Sequence, residues 1–220
     1  MNSPIIQLLV LAGIAIFLIL RLRSVLGTRE GFEKPPLPAP ADARRRGRPE
    51  LEVIEGGVDR DITDHVPEGS ESARALAAMK AADRSFNVGE FLNGARAAYE
   101  MILMAFERGD VGAVRPFISA EVHDAFAAVV EEREKKGLKV DATFVGISDL
   151  VLKEASFDPQ SQEAEITVRF VAELTSVVRD RAGDIVEGNN NEIKRQRDSW
   201  TFARTMGSSD PNWMLVATGE

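Results

Sequence analysis

Cysteine is absent from the chain's 220 residues, which removes disulfide frameworks, thiolate nucleophiles and cysteine-ligated zinc or iron–sulfur centres. Histidine is scarce as well. His65 lies in a proline-containing stretch without a rigid neighbour, and His123 sits beside Glu121 and Asp124 in the first turns of an expected helix, where a polar helix edge is the simpler reading. There is no Gly-x-Ser-x-Gly elbow, Walker loop, dinucleotide fingerprint or metal-spaced set of carboxylates and histidines. Asp149 with Glu154, and Asp180 with Asp184, are acid pairs at expected strand ends and turns, which need no catalytic reason. These absences lead to the expectation of a protein that is not an enzyme and carries no metal or cofactor.

Charge is missing from one place in particular. Pro4 to Leu20 contains no charged residue and only Gln7 and Gly13 as polar-leaning members, and Arg21 and Arg23 follow at once. As a helix this stretch spans roughly 25 Å, and Leu22, Val25 and Leu26 extend it toward the ~30 Å hydrocarbon thickness if the arginines snorkel. A cleaved secretory signal would carry its positive charge before the apolar run and small residues after it, and here the order is reversed. A helix buried in a soluble core is the other alternative. The expectation is a single-pass anchor over residues 1–26, oriented by the arginines with its N-terminus outside and the rest of the chain in the cytoplasm.

The formal charge of −8 is uneven. Residues 21–48 hold eight Arg or Lys against three acids, so this segment carries +5 and the remainder −13. An acidic body repels phosphate, which excludes nonspecific nucleic-acid binding. Six of the ten prolines fall between residues 27 and 70, with few large apolar residues. Residues 27–70 are therefore expected to be a disordered linker with a reach of roughly 35 Å. Within it Arg44, Arg45, Arg46 and Arg48 are either a solubilising run or contacts for anionic headgroups, each worth ~1 kcal/mol near the surface.

From Ser70 the composition turns to helix formers, which predicts an alanine-rich helix to about Asp83. Val88, Phe91, Leu92, Ala95, Ala98, Tyr99, Ile102 and Phe106 recur at helical spacing and predict a second, strongly amphipathic helix ending at Gly109. A short turn or helix follows to Val114, and Pro116 prevents its simple continuation. Ser119 is a fair N-cap for a third helix, closed by Gly137. Beyond it the period changes to two. Ile166, Val168, Phe170, Ala172 and Leu174 alternate with their neighbours, and further strands are expected at 144–152, 192–206 and 213–218. The fold class is α+β, with helices packed on a twisted antiparallel sheet of about four strands.

An ordered set of residues carries a family resemblance. It comprises Asp83, Phe86 and Phe91-Leu92-Asn93-Gly94-Ala95, then Gly109-Asp110 and Arg115-Pro116-Phe117-Ile118-Ser119. It continues with Phe126, Glu132-Arg133, Gly137, Ile166 to Phe170, Glu187-Gly188, Trp200 to Arg204 and Asp210 to Leu215. In this the segment 71–220 resembles the Tim forty-four-like domain, named for the matrix-side adaptor of the mitochondrial inner-membrane import translocase. The resemblance implies a cone similar to nuclear transport factor two, with an apolar cavity, in a bacterial inner-membrane protein that works as an adaptor. In the mitochondrial adaptor the chaperone-binding work sits in a segment ahead of this domain. Here the anchor and linker occupy that place, so chaperone recruitment does not carry over.

Phe144, Phe170, Trp200, Phe202 and Trp213 are the large aromatics on the expected strands, either as packed core or as the lining of a cavity for an acyl chain or apolar side chain. Trp200 and Phe202 share a face, as do Trp213, Leu215 and Ala217. Arg204 shares the Trp200 face, where it pairs with a buried carboxylate or meets a headgroup. The function expected is a membrane-anchored adaptor or scaffold binding a protein partner and anionic lipid. A lipid or small-ligand carrier using the cone cavity is the alternative, and a cavity enzyme is a distant third.

Overall fold

The computed structural model describes residues 59–219. The expected anchor, most of the expected linker, and Arg44, Arg45, Arg46 and Arg48 lie outside the described residues. Among those described, no helix is long and apolar enough to cross a membrane.

Four α-helices and one 3-10 helix precede the sheet: α1 Arg60–Thr63, α2 Glu71–Ala82, α3 Val88–Arg108, the 3-10 helix Val111–Phe117, and α4 Ala120–Lys136. All four α-helix starts rest on side-chain caps. Asp59 accepts a hydrogen bond from the backbone N–H two residues on. Ser70, Asn87 and Ser119 each accept a hydrogen bond from the backbone N–H three residues on, satisfying donors that a first turn leaves open. Helix α3 ends where Gly109 turns left-handed at φ 78°, a conformation that costs glycine nothing. Pro116 lies inside the 3-10 helix, which runs past the expected stop at Val114 to Phe117.

The linker expectation of 27–70 is corrected at its C-terminal end. Ile62 and Val66, one helical turn apart, are both buried in the core. Asp61 accepts the N–H groups of Val88 and Gly89 at 2.9 and 3.0 Å and meets Lys80 at 2.6 Å. A four-residue helix and the turn after it, with one apolar anchor each, are invisible in an average taken over a polar, proline-rich stretch. Residues 59–70 are part of the fold.

The sheet has five strands: β1 Lys139–Asp158, β2 Glu163–Arg179, β3 Ile185–Gly188, β4 Lys194–Thr205 and β5 Met214–Gly219. Their order is β1-β2-β4-β5, with β3 also paired to β2, and every pairing is antiparallel. The expected count of about four omitted β3, whose four residues are all exposed and so carry no alternation. Gly188 is required there, since a Cβ would stand 2.1 Å from the Ser176 carbonyl oxygen. Strand β1 is longer than the expected 144–152. Three register shifts, at 144/146, 147/149 and 152/154, break its alternation and bend it.

Helices α2 and α3 lie against β1, and the buried side of α3 meets the inward residues of β2 and β4. There Tyr99 stacks on Phe170 with ring centres 4.4 Å apart and touches Trp200 at 4.5 Å. Phe202 and Phe91 continue the aromatic chain, 6.3 and 6.0 Å from one ring to the next. Tyr99, Phe170, Trp200 and Phe202 are all buried. Around Tyr99 the space between helices and sheet, where an apolar cavity was implied, is filled by these aromatic side chains. Burial and the hydrogen bond that the Tyr99 hydroxyl donates to Asp198 push that hydroxyl far above the usual tyrosine range.

Candidate functional site

A large concavity borders this core on the exposed flank of α3. It is a groove of about 580 Å³ between that helix, the end of the 3-10 helix and the β4–β5 connection. Its floor is made of small residues, Gly94, Ala97 and Ala98. They fall at helical spacing, so one face of α3 offers almost bare backbone to whatever lies above it. A Cβ built on Gly94 would meet no heavy atom within 4 Å.

Aromatic side chains form the walls. Trp213 stands 4.7 Å from Phe91 and 5.8 Å from Phe86, measured between ring centres, and Phe117 closes the opposite wall. Met101 extends the apolar surface and is 39% exposed. Polar groups stand at the rim: Glu90, Asn87, Asn212 and Arg204. Arg204 donates to the Asp83 carboxylate at 2.9 Å, and both side chains are nearly buried. The Ser85 hydroxyl and N–H bonds, with the Arg204 charge, hold the Asp83 carboxyl below the usual aspartate range. This pair ties the C-terminal end of α2 to β4 and gives the groove a rigid edge. Of the two roles weighed for Arg204, pairing with a carboxylate is the one found.

The five aromatic candidates separate. Phe170 and Trp200 belong wholly to the core, Phe144 packs against it 6.4 Å from Tyr99, Phe202 reaches both core and groove, and Trp213 is half-buried in the groove wall. The shared face expected for Trp213, Leu215 and Ala217 is corrected. A register shift in β5 places Leu215 opposite Phe202 and Ala217 opposite Thr201, so Leu215 is buried while Ala217 is exposed. Sequence reasoning missed the groove floor because the adjacent buried face of α3, to which it assigned Phe91, Ala95 and Ala98, dominated the periodicity. The available signal was a glycine inside a strong helix, followed at helical spacing by alanines.

A family model described as Tim44-like domain matches residues 72–220, more than half of the chain. The chain belongs to the Tim44-like domain family. Among solved structures, this Tim44-like chain is similar to the intermembrane space region of the chloroplast protein ARC6, with 13% identity and a TM-score of 0.40 over 58% of this chain and 94% of that one. No curated protein matches the chain. Within the Tim44-like domain both Asp83 and Arg204 fall inside the matched segment, and so does every residue of the groove. Among the described residues, no group of three or more histidines and acids is arranged to hold a metal ion.

Proposed function

We propose that the chain is a membrane-anchored adaptor whose Tim44-like domain docks a protein partner in the α3 groove. The observation that carries this reading is the combination of a bare helix floor at Gly94, Ala97 and Ala98 with apolar walls at Phe86, Phe117 and Trp213. Small floor residues let a partner's backbone approach closely. Aromatic walls then supply apolar area at about 25 cal/mol per Å² removed from water, and the rim charges fix direction. No step in this role makes or breaks a covalent bond. The anchor at Pro4–Leu20 holds the domain at the inner face of a bacterial inner membrane, and Arg44, Arg45, Arg46 and Arg48 add contacts to anionic headgroups of the same leaflet.

A lipid or small-ligand carrier is the second reading. It is favoured by the mainly apolar lining of the same groove, which suits an acyl chain. The filled aromatic core moves such a ligand from the cone interior to the α3 flank. Crosslinked pulldown from intact membranes separates the two. The adaptor reading expects a discrete protein recovered with the natural chain and lost with Gly94→Leu, which fills the floor. Recovery of the same protein with both forms overturns the groove as its docking site, and lipid alone, lost with Gly94→Leu, establishes the carrier.

A further inference from the structure

A second cavity, of about 270 Å³, opens where the C-terminal ends of α3 and α4 face the sheet near β3. It lies apart from the α3 groove and shares no residue with it. Two cations border it, Arg133 from α4 and Lys194 from β4. Arg133 lies 4.5 Å over the Phe106 ring and donates to the Phe106 carbonyl at 3.5 Å. On α4 Glu131 pairs with Lys135 at 2.7 Å and Glu132 with Lys136 at 3.1 Å, and the acids that line the cavity itself are Glu107 and Glu187. Among the described residues, no carboxylate forms an ion pair with Arg133. Lys194 has one acidic partner among the described residues, Glu187, at 3.6 Å, and the Glu187 side chain is 71% exposed. Between the cations β2 presents Leu174, Ser176 and Val178 and β4 adds Gln196, so aliphatic and polar side chains share the wall.

We propose that this cavity binds a small aliphatic carboxylate, with its oxygens held by Arg133 and Lys194 and its chain laid against Leu174 and Val178. A guanidinium matches a carboxylate through two parallel hydrogen bonds, and Lys194 adds a point charge. Glu107 also borders the cavity. Burial, helped by the Glu187 charge, raises its carboxyl above the usual glutamate range against the opposing pull of Arg133 and Lys194. The volume lies just under the ~300–1,000 Å³ of pockets for larger ligands, which limits the occupant to a short chain. The same chemistry belongs to a free short-chain acid and to the C-terminal carboxylate of a peptide ending in an aliphatic residue.

Titration calorimetry of the full chain in neutral detergent, at constant ionic strength set with chloride, tests this. Pentanoate is expected to bind saturably with a Kd on the order of 1 mM and pentanamide not to bind. Lys194→Gln should weaken pentanoate about tenfold, and Arg133→Lys, which keeps the charge but loses the fork, several-fold. Acetyl-Gly-Val with a free or amidated terminus separates the sources: tighter binding of the free peptide acid than of pentanoate assigns a chain end, the reverse a small acid. Equal binding of pentanoate and pentanamide, unchanged affinity in both variants, or no saturable heat overturns the proposal. These outcomes are independent of whether a protein occupies the α3 groove.

Discussion

Gly94 is the residue on which stability and docking are set against each other. It lies seven positions into a helix of 21 residues, where glycine costs roughly 0.5–1 kcal/mol relative to alanine through its backbone entropy. An added Cβ meets no heavy atom within 4 Å, so Gly94→Ala recovers that cost without a steric penalty. For a domain of this size, 1 kcal/mol corresponds to about 2–4 °C in Tm. Gly94→Ala is expected to raise Tm by about 1–4 °C in thermal unfolding of the full chain in detergent, followed by tryptophan fluorescence. Gly94→Leu should also stabilise, since leucine is a good helix former, while placing a side chain where a partner's backbone would pass. A fall in Tm for Gly94→Ala would refute the open floor. A rise in Tm for Gly94→Leu with undiminished partner capture would refute the account of why an unfavourable glycine stands there.

Other expectations follow from single contacts. Asp61→Ala removes the acceptor of two N–H groups at the start of α3 and should cost about 1–3 kcal/mol in urea unfolding; no change would return residues 59–70 to the linker. Glu107 has a folded pKa above its unfolded value, so its charged form is penalised at neutral pH and the penalty is relieved as pH falls through the folded value. Glu107→Gln should therefore raise Tm at pH 7, with the gain shrinking toward pH 4; a gain independent of pH would contradict the burial argument. A chain lacking residues 1–26 should be soluble. In that form, replacing Arg44, Arg45, Arg46 and Arg48 by Gln should reduce binding to anionic liposomes at low salt, and equal binding would remove the headgroup role.

Much of this fold is legible in the chain because its strongest signals are local. The apolar period from Val88 to Phe106, the Ser70 and Ser119 caps and the Gly109 stop specify helices without help from distant residues. The alternation from Ile166 to Leu174 does the same for the middle of β2. What escaped depends on partners far away in sequence. Ile62 and Val66 gain meaning only once packed into the core, and β3 exists because Gly188 lets its backbone meet Ser176. The bulges in β1 and β5 re-aim side chains in ways no period-two count reveals, which is why Ala217 faces outward. Arg204 was legible in type, as an arginine on an apolar face, but its partner Asp83 lies 121 residues away. The groove was the least legible, since its floor is recognised by the side chains it omits.

The most direct test of the adaptor reading is photo-crosslinking in intact membranes from a reactive residue placed at Met101 in the groove, with Val145 on β1, 53% exposed and outside the groove, as the control position. The account predicts one discrete protein adduct from position 101 that is lost when Gly94→Leu is added, and none from position 145. No protein adduct from position 101, or the same adduct from both positions, would contradict it.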